Sequence, residues 1–189
     1  MSQPVLKKSP TVNGFDLDQM QAAVEMVTEN PSAAIAGFRV RSEWKGRCVV
    51  EGKVEAYTFG GQRIPRRHSV VTDEPHELFG TDVGPNPQEL LFAALNACMA
   101  FGFATGAAQR GIDIESLTIE SEGSLDVRRV MGLVPSDKPG CESIRYTVRI
   151  KSSASREQIE ELHEAVMATS PNRYHLASPI PLEPTIVVE

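Results

Sequence analysis

The sequence predicts an α+β protein in which antiparallel strands gather around one long buried helix. Three observations predict it. The stretch from Asn86 to Gly111 carries helix start and stop signals, yet no residue between Leu90 and Ala108 is charged. The flanking strands alternate apolar and polar residues, so each has one wet face. Strands and helices come in blocks rather than as alternating βαβ units.

Taken in order, residues 1 to about 14 are polar and Pro-bearing and are expected to be loosely held. Asp16 to Glu29 places Leu17, Met20, Val24 and Val27 at helical spacing, with Asp16 as cap and Asn30-Pro31 as stop. Residues 1–36 are therefore expected to form an extension with one amphipathic helix, ahead of a domain over 37–189. Strands are expected at 37–44, 47–58 and about 67–72, turned at Lys45-Gly46 and Gly60-Gly61. A Gly/Pro-rich loop then leads to the long helix. Asn86 and Glu89 form its capping box, Pro87 takes the first position, and Arg110-Gly111 closes it. Beyond it, Leu117–Ile119 and Leu125–Val127 read as one bulged strand, and 143–151 as a strand with Ile144, Tyr146, Val148 and Ile150 inward. Ser155 and Gln158 start a second helix whose apolar stripe is Ile159, Leu162, Val166 and Met167, and Ser170-Pro171 stops it. Ile186–Val188 reads as a last strand.

A helix without a wet face must be covered on all sides, by lipid or by protein. Nearly half of the uncharged run is Ala or Gly, and no basic flank or second apolar segment accompanies it. A protein core is the expected cover, and two copies packing their helices symmetrically would supply it. The net charge of −6 disfavours a general nucleic-acid binder. Cys48, Cys98 and Cys141 are widely spaced, without a C-x-x-C, and the first residues lack a signal-peptide core; a reducing cytoplasm is expected. His68, His76, His163 and His175 show no metal-ligand spacing, so no metal is expected. His163 is expected to be partly buried beside Ile159 and Val166.

Cys98 is the one reactive-type residue at the centre of this organisation. Mid-helix placement denies it the dipole of a helix N-terminus, so a working thiolate needs a cation and an opening. Arg39, Arg41, Arg47, Arg63, Arg66 and Arg67 are available from the preceding strands.

The block P-N-P-Q-E-L-L-F-A-A-L-N-A-C, a helix ending in R-G-I, and a capped helix ending in an S-P turn resemble the OsmC/Ohr family. The phrase D-E-P-H-E-L-F-G-T-D-V-G and the extra N-terminal helix are similar to one OsmC-like branch. The resemblance implies an OsmC-like fold, with antiparallel sheets wrapped around the long helix in an intertwined homodimer. It also implies thiol-dependent reduction of organic hydroperoxides at the subunit interface, without a cofactor. Cys98 then falls on the peroxidatic cysteine, and Arg47, in K-G-R, on the arginine that steadies its thiolate, with Arg39 and Arg41 as competitors. The family's acidic partner of that arginine would stand at Gln88; the acid here is Glu89, which also closes the capping box. Nine helical residues separate Glu89 from Cys98 by about 13 Å, so only a partner subunit's copy could serve that site. Leu91, Leu95 and Phe101 would line an apolar wall for the substrate. Ser170 stands where the family has its resolving cysteine, so an external thiol must recycle an oxidised Cys98 unless Cys48 or Cys141 approaches. The alternative within the same fold is a non-catalytic protein that binds a small apolar ligand or reactive sulfur species between subunits.

Overall fold

In the computed structural model, which describes residues 10–135 and 138–188, the apolar stretch forms the expected helix. The chain divides into two compact units, one ending at Leu91 and the other starting at Phe92. The expectation of a loosely held start lies, for residues 1–9, outside the described residues.

The first unit opens with a hairpin that the sequence reading missed. Strands β1 (Thr11–Val12) and β2 (Phe15–Asp16) pair antiparallel across Asn13-Gly14, both at positive φ. Asn-Gly is the strongest short hairpin signal, and it was present. Helix α1 (Leu17–Glu29) follows, its N-terminus capped by the Asp16 carboxylate through the Gln19 N–H at 3.0 Å. None of its residues is buried within the chain.

The expected strand 37–44 is broken into β3 (Ala36–Phe38) and β4 (Arg41–Gly46). Both pair antiparallel along one side of β5 (Val49–Phe59), while β6 (Gln62–Thr72) pairs along the other. The third strand thus starts five residues earlier than expected and runs through Pro65. It can do so because β6 is an edge strand, where a missing N–H costs no ladder bond. Pro65 sits opposite Ala56, beside the bulge at Val54/Ala56.

The loop after β6 is organised by one carboxylate. Asp73 is buried at 1 % exposure, and its Oδ2 accepts from the Thr81 N–H at 2.8 Å and the Thr81 hydroxyl at 2.6 Å, with the Val83 N–H more distant at 3.4 Å. The Thr81 hydroxyl is the strongest influence that holds the Asp73 carboxyl down to about 2, against the desolvation that would raise it.

Helix α2 (Pro87–Gln109) starts at the end of the first unit and continues into the second. Both halves of its capping box are present: the Asn86 N–H donates to Glu89 Oε2 and the Glu89 N–H to Asn86 Oδ1, each at 2.8 Å. Gly111, at φ 67°, ends it, with Ile112 N–H to the Ala107 carbonyl and Gly111 N–H to the Ala108 carbonyl. That pair of bonds is a Schellman motif.

Strands β7 (Ile114–Gly123) and β8 (Ile144–Ser152) form an antiparallel pair. The alternation in β8 is as read. Ile144, Tyr146, Val148 and Ile150 pack on the core, and Arg145 and Arg149 form exposed ion pairs with Glu122 and Glu120. Leu125–Val127 is not strand. Asp126 caps a short helix, α3 (Val127–Val130), by accepting from the Arg128 N–H at 3.0 Å, and local side-chain capping outcompetes the ladder there. Helix α4 (Arg156–Thr169) carries the expected Ser155–Gln158 capping box. Leu162 and Val166 enter the core with Leu95, Met99, Phe103, Ala107 and Ile112. Small residues on α2 admit them: a Cβ on Gly106 would lie 2.9 Å from Leu162 Cδ1, and one on Gly102 3.2 Å from Val166 Cγ1. A further helix, α5 (Pro171–Ala177), starts at once where only a stop was expected. Ile186, Val187 and Val188 form no strand and are exposed by three quarters or more. An apolar triplet alone carries no pairing partner.

Helix α2 is long and apolar enough to cross a membrane by length and composition. Its buried side chains, however, interdigitate with β-strand and α4 side chains as a protein core does.

The Asp73 anchor yields a pH prediction. Its carboxyl titrates at about 2 in the fold against 3.8 ordinarily, so its contribution is full above pH 3.8 and is lost as pH falls towards 2. Asp73→Asn should lower the thermal midpoint at neutral pH and flatten its decline over that acid window. Parallel pH profiles for wild type and variant would contradict the assignment.

Candidate active site

Cys98 lies on α2 between the fully covered Met99 and the exposed Ala97, and is itself half-buried. Its sulfur is 3.4 Å from the Ser170 hydroxyl oxygen. The two residues stand 72 positions apart in sequence and are brought together because α4 packs along α2 through Leu162 and Val166.

Ser170 is held firmly. It ends α4, its N–H donating to the Val166 carbonyl at 3.0 Å, and it caps α5, its side chain accepting from the Arg173 N–H at 3.4 Å. It is 7 % exposed. Asn172 adds a clamp, its Nδ2 donating to the Ala94 carbonyl on α2 at 2.9 Å. A second clamp stands close to Cys98 on α2: Asn96 Nδ2 donates to the Ile119 carbonyl at 3.2 Å and Oδ1 accepts from the Ser121 hydroxyl. Neither asparagine was singled out from the sequence as a positioning residue, because the partners, two backbone carbonyls and the Ser121 hydroxyl, are brought within reach only by the fold.

The contact between Cys98 and Ser170 has a definite chemistry. With a thiol, either group can donate. With a thiolate, only Ser170 can, and its oxygen already accepts the cap N–H, so its proton is available for sulfur. The hydroxyl therefore sits where it stabilises a sulfur anion. It cannot form a disulfide.

The expected apolar wall divides. Phe101 is 65 % exposed and Leu91 39 %, whereas Leu95, at 3 %, belongs to the core and presents no wall to solvent. Phe103 is buried and stacks on His163 with ring centroids 6.1 Å apart, though His163 is itself exposed rather than partly buried. Glu89 is engaged in its capping box. Arg47 lies in the β4–β5 turn at φ 47°, where its carbonyl accepts from Trp44 Nε1 at 2.8 Å. Among the described residues Cys48 makes a long sulfur contact to the Leu78 carbonyl, 3.9 Å, and Cys141 is half-buried near Gly123. No disulfide joins the three cysteines, and no cluster of metal-ligating side chains occurs among the described residues.

The model of the OsmC-like protein family matches residues 80–185, a span that holds α2, Cys98, Ser170 and both clamps. The chain belongs to the OsmC-like family. Among solved structures, an OsmC-like protein from Mycoplasma pneumoniae superposes with a TM-score of 0.52 at 22 % identity, over 71 % of this chain and 89 % of that one. An osmotic stress induced and detoxification response protein from Psychrobacter arcticus gives 0.54 at 15 % identity, over 71 % and 84 %. An OsmC-like protein from Vibrio cholerae gives 0.50 at 17 % identity, over 74 % and 92 %. At these identities the likeness is one of fold. No curated protein matches the sequence.

Replacing Ser170 by cysteine puts two sulfurs where sulfur and oxygen now stand 3.4 Å apart, and closing to the disulfide length of about 2 Å needs only a small approach. Mild oxidation of the Ser170→Cys variant should yield an internal disulfide between Cys98 and the introduced thiol, detected by thiol counting and peptide mapping. Both thiols remaining free after oxidation would contradict the geometry.

Proposed function

We propose that this OsmC-like protein is a one-cysteine thiol peroxidase of organic hydroperoxides, acting in the cytoplasm as a homodimer. The observation that carries the reading is the half-buried Cys98 with a hydroxyl donor held against its sulfur. In the reaction, the Cys98 thiolate attacks the terminal oxygen of R–O–O–H. The O–O bond breaks, sulfur becomes a sulfenic acid, and the alkoxide leaves and takes a proton as the alcohol. An external thiol then displaces water from the sulfenic acid to give a mixed disulfide, and a second thiol regenerates Cys98.

Arg47 is the cation this reading assigns to the thiolate. Its guanidinium, like that of Arg39, has no ion pair or hydrogen bond among the described residues, whereas Arg41 is paired with Glu43 at 3.2 Å; its place in the K-G-R turn is what favours Arg47 over Arg39. The exposed Leu91 and Phe101 favour an organic substrate over hydrogen peroxide. They also support the dimer, since leaving such side chains in water forgoes about 1.5–3 kcal/mol each relative to full burial. Trp44 in the first unit is likewise exposed, at 73 %. The second subunit in this reading covers those surfaces and brings its own Glu89 towards the partner site.

Size-exclusion fractions with light scattering, assayed for consumption of cumene hydroperoxide with a dithiol, test the whole reading. Activity should elute with a species of twice the chain mass and vanish in an equally dimeric Cys98→Ser variant. Activity retained without Cys98, or a folded monomer carrying it, would contradict the proposal. A Cys98-bearing dimer that consumes no organic hydroperoxide would favour the ligand-binding alternative.

A further inference from the structure

We propose a second site, independent of the thiol chemistry: the polar face of the β3–β6 sheet binds a small anion bearing a diphosphate, gripped by Arg39 and Arg63. A surface hollow of about 650 Å3 lies there. Its lining includes Arg39, Arg41, Lys53 and Arg63 against a single carboxylate, Glu55. Four cations around one hollow stand out in a chain whose net charge is −6.

The strand register explains both the hollow and its charge. Gly37, Thr58 and Arg63 are cross-strand neighbours on β3, β5 and β6. Gly37 has no side chain and Thr58 a short one whose hydroxyl donates to the Gly37 carbonyl at 3.4 Å, so this row leaves a low floor. Long side chains stand on either side of it. Arg63 is two strands from Gly37, roughly 10 Å away at the usual strand spacing, and Arg39, just past the end of β3, lines the same hollow. Both arginines border the low floor of the hollow, where one anion with two phosphate groups can meet them together.

Their donors are unspent. Arg41 and Lys53 are tied to Glu43 and Glu51 at 3.2 and 3.3 Å, but Arg39 and Arg63 make no ion pair or hydrogen bond among the described residues. Guanidinium groups present planar forks that match phosphate oxygens in pairs, and two of them with Arg41 and Lys53 behind them favour a multiply charged ligand over a monocarboxylate. The site is open to water, so its affinity must fall as salt rises.

Titration calorimetry of the full-length protein with inorganic pyrophosphate at low ionic strength tests this, with ADP as an organic diphosphate. Both should bind at one site per chain, and added salt should weaken both. Arg39→Ala and Arg63→Ala should each weaken binding about tenfold or more, as loss of a charge-assisted pair of hydrogen bonds requires. Arg63→Lys should recover part of it. Arg145→Ala, an exposed cation of β8, should change nothing. Arg39→Gln and Arg63→Gln, which keep the side-chain stem, repeat the test should an alanine variant fold poorly. No heat with pyrophosphate, binding that survives the double Arg39→Ala/Arg63→Ala variant, or an equal loss in Arg145→Ala would overturn the proposal. Peroxide consumption should be unchanged in the Arg63 variants, which separates this site from Cys98.

Discussion

Helix α2 has no charged residue from Leu90 to Ala108 and therefore has no side that water can take. Within one chain, only Leu95, Met99, Phe103, Ala107 and Ala108 are buried along it. Eight apolar residues in all are buried among the described ones, a small core for a chain of 189. Leu91 and Phe101, on the remaining surface of the helix, are exposed within one chain. Cys98 falls on the boundary between the covered side and the open one. A sulfur there is partly shielded without being sealed in, and a polar helix could not offer that position without wetting it.

What turns this placement into a site is the junction at residue 170. One serine terminates α4 and initiates α5, so its hydroxyl cannot wander: the backbone on both sides is fixed by helical hydrogen bonds, and Asn172 ties the start of α5 to α2. The same rigidity would orient a cysteine at this position for disulfide formation. With serine there, the contact offers the sulfur a hydroxyl donor and cannot become a disulfide.

Elements whose signals are local were legible in the sequence. The Asn86–Glu89 and Ser155–Gln158 boxes and the alternation of β8 lie within a few residues of one another and need no tertiary context. The errors came where context decides. Pro65 is tolerated because β6 is an edge, Leu125–Val127 is diverted by the Asp126 cap, and Ile186–Val188 has strand-like composition but no strand partner among the described residues. At the site, Cys98 stood out by its place in the apolar helix, and Ser170 only through the resemblance. Leu95 was misread as a wall because helical spacing from Cys98 cannot tell which flank of the stripe meets α4. The hollow on the first sheet was not legible at all, since Gly37, Thr58 and Arg63 become neighbours only through pairing.

The central claim is that Cys98 alone takes oxygen from an organic hydroperoxide and holds it as a sulfenic acid. The most direct measurement is to treat fully reduced protein with one equivalent of cumene hydroperoxide in the presence of dimedone and map every cysteine by mass spectrometry. The account predicts a dimedone adduct on Cys98, with Cys48 and Cys141 recovered as thiols and one alcohol released per adduct. Cys98 recovered unmodified, or joined by a disulfide to Cys48 or Cys141, would contradict it.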